Sequence, residues 1–513
     1  GIDVGEIDLV IQFVSPRQVS RFLQRVGRRG HRKDRVPEGI VLASDALDCF
    51  ESAVVVRRAK NGLLESKTVR KNALDVAAHQ TAGLAIDKQA IEFEQALAII
   101  RKARPFATLS PQDYLEIVKQ LEEARIISFD GKLIKETRKT RMYYYENVST
   151  IRDSKKFFVK DATMRKNVGL LDESFVNEYI TPNATFIARG RAWKVLSVSE
   201  KEIAVEPTRD LSAAIPEWVG EEIPVERAVA SETAVLVAGA GEKIDVKQLA
   251  HEYYCAPDAV KKIVEFASDQ KKFFTPNPSE IVVEANKDFA IIHAFCGTKA
   301  NETLSRALGN LFSAMHGVSV RTKASAYGFL MQFPKPMRAS LVKEALIELS
   351  GRKIHSVLAQ TLVNTSLYRQ KFVGVAKAFG VLSKKSELGG FGVRRLVEAL
   401  YETPVYREAL SELFYDKLDI ETAAEALGRK ISLLEERGEW SPLAKQFFNL
   451  GSFSELLAAA APSEQVIGAF KENLLEKKPR LLCTYCGKLH TRALSEEKSY
   501  AYCPYCSSTQ ITT

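Results

Sequence analysis

The chain is poor in the features that mark secreted or membrane-embedded proteins. No uninterrupted apolar run reaches the roughly 18 residues that a membrane-spanning helix needs. Nor is there a basic stretch followed by an apolar core and a small-residue cleavage site. The expected setting is the cytosol, with no membrane partner. Cysteine is scarce, and four of the seven fall in two Cys-x-x-Cys pairs near the end of the chain. That excludes a disulfide framework and points to a metal site in a reducing compartment. Internal repeats and low-complexity tracts are missing, which removes solenoids and disordered tails. A Gly-x-x-x-x-Gly-Lys-Ser/Thr loop is missing too, so this chain alone lacks a phosphate cradle and is expected to be inactive as a nucleoside triphosphatase.

What remains is ordinary globular protein with a basic bias. Apolar residues make up 46% and charged residues 27%, so 513 residues can furnish several domains with real cores. The net charge of +9 permits a polyanionic partner. Near the N-terminus, Ile7 to Phe13 is an apolar run of strand length, and Gly39 to Ala43 is a second. Between them a helix is expected, with Ser15 as N-cap, Pro16 in first position and Gln18 three residues after the cap. At helical spacing Val19, Phe22, Leu23 and Val26 form an apolar face, opposed by Arg21, Gln24, Arg25 and Arg28. Gly27 and Gly30 let the backbone leave the helix with the arginines still close together. Clustered guanidinium forks suit a multiply charged anion, either a nucleoside triphosphate or a nucleic-acid backbone. Strand, helix, strand is the unit of a parallel sheet, whose ligands lie beyond the carboxyl ends of the strands.

Those residues carry a resemblance. Gly1-Ile-Asp3 is similar to the close of motif V, and Gln24-x-x-Gly27-Arg28 to motif VI, of superfamily 2 helicases. The string from Gln24 to His31 resembles the large helicase-related (Lhr) branch. The resemblance implies that Arg28 is an arginine finger on the γ-phosphate of ATP with Mg, and that Gln24 and Arg25 are its catalytic neighbours. It also implies that Gly1, Asp3 and Gly27 lie on the nucleotide side. Gly1 stands inside a motif, and some 48 residues cannot build a parallel sheet covered on both faces. The sequence therefore reads as the C-terminal part of a longer protein, expected to be monomeric, whose N-terminal helicase lobe supplies the rest of the ATP cleft.

Further along, three helices are expected at Asn72 to Ile86, at Ile91 to Arg104, and from Ser110 onward. A hairpin turning at Asp130-Gly131 follows, which makes a winged helix. Such domains often read duplex DNA through the third helix; the resemblance instead implies a packing bracket. Residues 130 to 167 hold eleven Lys or Arg against five Asp or Glu. Cations there interleave with Tyr143, Tyr144, Tyr145, Phe157 and Phe158, a pattern suited to single strands, with Tyr143, Lys155 and Lys156 as candidate contacts. Alternation of the same aromatics into a β-core fits equally. Short strands to about Pro207 suggest a barrel or sandwich. Trp218, between Pro216 and Gly220, fits the family's strand-contacting segment, or plugs a hydrophobic hole. Val246 to Ser268 reads as one helix. Gly297-Thr-Lys299-Ala-Asn301 opens another, and Lys299 and Asn301 at such a turn suit a phosphate contact or an ordinary cap.

Cys483-x-x-Cys486, sixteen residues, then Cys503-x-x-Cys506 has the spacing of a four-cysteine zinc ribbon. Four thiolates close the shell, so the zinc is structural and His490 is superfluous. Tyr485, Tyr502 and Tyr505 on the two turns suit contact with nucleic acid or a protein partner, or packing around the metal, which is the expected use. The expected fold class is α/β plus α+β multidomain: a remnant of a RecA-like parallel sheet (1–62), a winged helix (63–140), a β-barrel-like domain with helices (141–478) and the ribbon (479–513). The reading is the C-terminal portion of an ATP-dependent 3′-5′ helicase acting on single-stranded DNA, RNA or a hybrid. Its rivals are a non-enzymatic strand-binding module or a zinc-ribbon adaptor that partners a separate ATPase.

Overall fold

A computed structural model describes all residues except 1–8, 28–37, 67, 150–155, 165, 173–175, 177–179, 181–182, 189–190, 200–201, 209–214, 217–222, 243–245, 364, 385, 387–389, 435–437, 450–454, 458–479, 492–501 and 513. It divides into two units, Gly1–Phe312 with Ser319–Leu457, and Ser313–Val318 with Ala458–Thr513.

The first unit opens with a parallel pair, β1 (Val10–Phe13) and β2 (Gly39–Leu42), joined through helix α1 (Val19–Val26). The helix starts later than its sequence suggests. Ser15 Oγ accepts the Arg17 N–H in a turn, and Arg17 takes φ 62°, so helical geometry cannot begin at Pro16. The cap comes from elsewhere: the Glu65 carboxylate accepts the N–H groups of Val19 and Ser20. Val19, Phe22 and Val26 are buried as expected, while Leu23 is exposed. Gly39 is needed because a Cβ there would lie 2.7 Å from Val26 Cγ2. Helix α2 (Ala46–Lys60), capped by Asp45, packs with α1 into one hydrophobic core.

Next comes the winged helix: α3 (Leu74–Lys88), β3 (Ala90–Glu92), α4 (Phe93–Arg101), α5 (Pro111–Glu123), and the hairpin β4 (Ile127–Phe129) and β5 (Leu133–Glu136). Ser110 accepts the Asp113 N–H and Pro111 occupies the first turn, so α5 begins where its sequence places it. Strand β3 pairs with β5, and its three residues had no sequence signal of their own. Helix α6 (Thr140–Glu146) follows.

Six strands then form one sheet in the order β11-β8-β9-β10-β6-β7. They are β6 (Lys156–Asp161), β7 (Asn167–Asp172), β8 (Thr185–Ala188), β9 (Arg191–Val198), β10 (Glu202–Thr208) and β11 (Ile215–Pro216). Strict alternation along β6 turns Phe157 and Val159 inward and Lys156, Phe158 and Lys160 outward. The inward residues of β6 to β10 pack on one another, so the sheet curls round its own core. No pairing among the described residues closes it into a barrel.

Helix α7 (Arg227–Ala240) packs on α2. The helix expected over Val246 to Ser268 is two, α8 (Val246–Glu252) and α9 (Pro257–Lys271). Tyr254 turns left-handed at φ 56°, and Pro257, which cannot continue a helix, starts the second. A second six-stranded sheet, in the order β16-β12-β13-β15-β14-β17, comprises β12 (Glu280–Ala285), β13 (Phe289–His293), β14 (Val320–Ala324), β15 (Gly328–Gln332), β16 (Lys430–Leu433) and β17 (Glu455–Leu457). Helix α10 (Thr298–His316) links β13 to β14. Between β15 and β16 run α11 (Ala339–Ser350), α12 (Ile354–Leu362), α13 (Ser366–Ala378), α14 (Gly390–Ala399), α15 (Pro404–Lys417) and α16 (Ile420–Leu427); α17 (Pro442–Asn449) follows β16.

The described part of the second unit is a three-stranded sheet of β18 (Arg480–Cys483), β19 (Leu489–Thr491) and β20 (Ile511–Thr512), with β18 central. No helix among the described residues is long and apolar enough to cross a membrane.

Candidate functional site

Helix α1 separates its two faces. Its apolar residues face α2, while Gln24 and Arg21 are exposed and Arg25 is half-buried. Arg25 Nη1 donates to Gln12 Oε1 on β1 at 2.6 Å, and Arg21 Nε donates to Gln18 Oε1 at 3.1 Å. These partners are neutral amides, so the hydrogen bonds orient both guanidinium groups without cancelling their charge. Gln12 carried no sequence signal, because its role depends on a residue thirteen positions away. Its Nε2 also donates to the Phe13 and Val14 carbonyls. Burial works to raise the Glu65 pKa, but the N–H groups of Ser20 and Val19 outweigh it and hold the carboxyl below its usual range. A carboxylate at the N-terminus of α1 also opposes the positive end of the helix dipole. Gly27 closes α1, its N–H bonded to the Leu23 carbonyl. Gly1, Asp3 and Arg28 lie outside the described residues.

The other face of the parallel pair is bare. Ile11, Phe13, Ile40 and Leu42 are 48–68% exposed side by side on adjoining strands. Isolated exposed apolar residues are common, whereas a contiguous patch on a parallel sheet marks a surface made to be covered.

The winged helix is docked through the helix that would otherwise read DNA. Arg407 of α15 donates to Asp113 Oδ1 at 2.7 Å and to Glu116, both on α5. Arg70, ahead of α3, pairs with Glu408 and, at 3.4 Å, with Glu412 of α15. Glu408 also accepts the Leu74 N–H at 2.8 Å, close to the start of α3. Desolvation, with Asp75 and Glu412 nearby, outweighs Arg70 and pushes the Glu408 carboxyl up to about 8. These pairs join residues some 300 positions apart, which no local pattern reveals. They commit α5 to packing, in keeping with the bracket.

The expected strand contacts separate. Tyr143 is buried and its hydroxyl donates to the Ala378 carbonyl at 2.8 Å, so this ring packs a core and cannot take a base. Tyr144 stacks on His79 at 4.4 Å. Tyr145 and Phe158 are exposed, and Lys156 projects from the outward face of β6. Asn301 is fully buried, accepting from Cys296 Sγ and donating to the Ser325 carbonyl, each at 2.8 Å. It braces a loop and does not meet phosphate. The entrance to α10 is filled as well: the Thr298 N–H donates to the Val225 carbonyl, and Thr298 Oγ1 accepts the Val225 N–H. Lys299 Nζ is drawn to the Tyr415 carbonyl at 2.9 Å. Lys155 and Trp218 lie outside the described residues.

In the second unit, Cys483, Cys486, Cys503 and Cys506 bring their sulfurs within 4.8 Å of one another. Two of the separations, Cys483–Cys506 and Cys486–Cys503, are 3.7 Å. Four sulfurs at ~2.3 Å from a central zinc stand ~3.8 Å apart in a tetrahedron, so the thiols fit that ion. Both turns follow one template. Gly487 and Ser507 take φ 69° and 58° and donate N–H to the Cys483 and Cys503 carbonyls, each at 2.8 Å. The Cys486 and Tyr485 N–H groups turn on the Cys483 sulfur and favour its thiolate form. His490 is not in the cluster. The tyrosines depart from expectation: Tyr485, Tyr502 and Tyr505 are 56–74% exposed and do not pack round the site.

Comparison with known proteins gives these elements a family. The winged-helix domain of the large helicase-related protein matches residues 57–215, and the DEAD/H associated family matches residues 275–444. The ATP-dependent helicase Lhr-Core of Methanocaldococcus jannaschii is 30% identical over 85% of this chain and 54% of its own length. The chain belongs to the large helicase-related (Lhr) family. The ATP-dependent helicase Lhr-Core protein 2 of Thermococcus barophilus is also 30% identical, over 95% of the chain and 59% of its own length. The chain thus spans a little over half the length of these Lhr relatives. The solved structure of Mycobacterium smegmatis helicase Lhr bound to ssDNA and AMP-PNP shares the fold at TM-score 0.63. Its identity is 20%, with 87% of this chain and 57% of that one covered.

Proposed function

We propose that this chain is the strand-handling half of an ATP-dependent 3′-5′ helicase of the Lhr family, inactive until joined to an N-terminal ATPase lobe. Residues 1–62 then belong to the second RecA-like lobe, 63–140 to a winged-helix bracket, 141–478 to the domain along which single-stranded DNA or RNA passes, and 479–513 to a zinc ribbon. The observation that carries the reading is the β1-α1-β2 unit. One face of α1 is buried, its other face presents Gln24 and an amide-oriented Arg25, and the helix leads directly into Arg28. The bare apolar face of the same sheet supports a covering lobe.

In this reading Gln24, Arg25 and Arg28 face the ATP phosphates with Gly1, Asp3 and Gly27. Magnesium would be held mainly by the partner lobe. Arg28 would stabilise charge on the transferred phosphoryl group, as arginine fingers do. Lys156 and Trp218 remain candidate strand contacts; Lys299 contributes only if it leaves Tyr415. Supplying the N-terminal lobe to this chain tests the reading. Strand-stimulated ATP hydrolysis should appear and fall by about 10³ or more in Arg28→Ala, the low end for an arginine finger. Tight strand binding with no hydrolysis in either protein would support a non-enzymatic module instead.

A further inference from the structure

The second unit carries surface that its own folding does not use. Its described core is small: Leu481, Cys483 and Cys503 are buried, and the metal-binding geometry does the remaining work of closure. A segment so short of apolar burial would gain by turning its tyrosines inward. It does the opposite, leaving Tyr485 74%, Tyr505 58% and Tyr502 56% exposed, with Leu489 at 63% beside them. The placement follows the pairing of the two Cys-x-x-Cys turns. Tyr485 and Tyr505 each hold the third position of a Cys-x-x-Cys turn, and the two turns close on one another through the cysteine sulfurs. The structure thus presents two rings from equivalent positions of paired turns.

Among the described residues of the four-cysteine unit the charge is of one sign; Glu496 and Glu497 lie outside them. Residues 480–491 and 502–512 contain Arg480 and Lys488 and no carboxylate. Lys488 Nζ lies 4.7 Å from the Tyr505 ring centroid, and the His490 ring stands edge-on to the same tyrosine at 6.4 Å. With the ammonium group over one face of the Tyr505 ring, the opposite face is left for a base and the cation for the neighbouring phosphate. Of the four cysteines, Cys483 and Cys503 are buried and Cys486 and Cys506 are part-exposed.

We propose that Tyr485 and Tyr505 form a stacking platform for single-stranded nucleic acid, with Lys488 against the sugar-phosphate backbone. The inference rests on the reading that this chain handles strands, and it adds a contact point in the four-cysteine unit. Binding is sequence-tolerant, since every base offers a π face.

The test uses the full zinc-loaded chain and fluorescein-labelled oligo-dT and oligo-U of twelve nucleotides. A bromodeoxyuridine version of the dT strand is photocrosslinked and the adducts are mapped. Each variant is first checked for one zinc per chain and an unchanged circular dichroism spectrum. Adducts on Tyr485 or Tyr505 are expected. Tyr485→Ala with Tyr505→Ala should weaken binding roughly 25-fold or more, two bases at the low end of stacking strength. The corresponding Phe pair should bind like wild type, because stacking needs the ring and not the hydroxyl. Lys488→Ala should reduce the slope of log affinity against log salt by about 0.7. The proposal is overturned by equal affinity in the Ala pair, by an equal loss in the Phe pair, or by adducts confined to residues 1–457. A wild-type chain that binds no strand at all would bring down the underlying reading as well.

Discussion

Glu408 offers a sharp test of how the winged helix is held. Its side chain is 1% exposed, it meets Arg70 and the Leu74 N–H, and its carboxyl is raised from 4.5 to about 8 because desolvation outweighs the arginine. Folding therefore takes up a proton between those values. The stabilisation is complete below about pH 4.5 and is lost as pH rises through about 8. The slope within that window approaches ~1.4 kcal/mol per pH unit, with a ceiling of about 5 kcal/mol across it. Glu408→Gln keeps an acceptor for Leu74 and leaves Glu412 on Arg70, but it cannot ionise. A chain of several domains has no single unfolding free energy, so the readout must be local. Hydrogen exchange of α3 and α15 amides, compared between the two proteins at each pH, cancels the intrinsic rate. Between pH 6 and 8 the wild type should lose protection up to tenfold per unit relative to the variant. Parallel profiles would refute the reasoning, because they would mean that the carboxyl is already ionised and fully compensated at pH 6.

Reversing the charge in Arg407→Glu should loosen α5 from α15 by about 1–2 kcal/mol, two part-exposed pairs at up to ~1 each, seen as faster proteolysis within residues 63–140. Cys486→Ser should lower bound zinc from one per chain to well below one by mass spectrometry, and chelators should expose residues 480–512 to protease in the wild type. Gly328→Ala would place a Cβ 2.1 Å from the Ile292 carbonyl oxygen across the β13–β15 pair; insoluble or unfolded protein is expected, and a soluble variant with normal circular dichroism would contradict it. Tyr327→Phe removes the hydroxyl that donates to the buried Glu51 carboxylate and should cost about 1.5–3 kcal/mol, measured by urea-dependent exchange in α2.

Local signals in the sequence were read correctly where the chain obeys local rules. Ser110 caps the helix that follows it, and the Asp130-Gly131 turn closes a hairpin. Alternation in β6 divides Phe157 from Phe158, so the aromatics split between core and surface. The four cysteines were legible because metal geometry is written directly in their spacing. What could not be read depends on contacts across the chain. Glu65 caps α1 from 46 residues away and sets a start that Ser15 and Pro16 seemed to claim. Tyr143 and Asn301 look like ligand contacts in one dimension, and both are consumed by partners at Ala378 and Ser325. The tyrosines of the four-cysteine unit fail in the other direction: a ring beside a Cys-x-x-Cys turn reads as core, yet Tyr485, Tyr502 and Tyr505 are exposed.

The same long-range contacts explain why α1 belongs mechanically to the rest of the first unit and not only to its own small sheet. Gln18 Nε2 donates to the Pro224 carbonyl at 3.0 Å, and the next residue, Val225, exchanges hydrogen bonds with Thr298 at the entrance to α10. Arg17 lies 3.9 Å from Glu51, which accepts from Tyr327 in the turn between β14 and β15. Gly297, at φ 88°, fits because it has no Cβ, which would lie 2.7 Å from the Arg227 backbone nitrogen. A helix tied at its N-terminal end to α2, to the 224–225 segment and, through Glu51, to the second sheet cannot shift without straining all three. Interfaces packed this tightly move as bodies or not at all. The N-terminal end of α1 is therefore anchored outside its own small sheet at α2, at residue 224 and, through Glu51, at Tyr327.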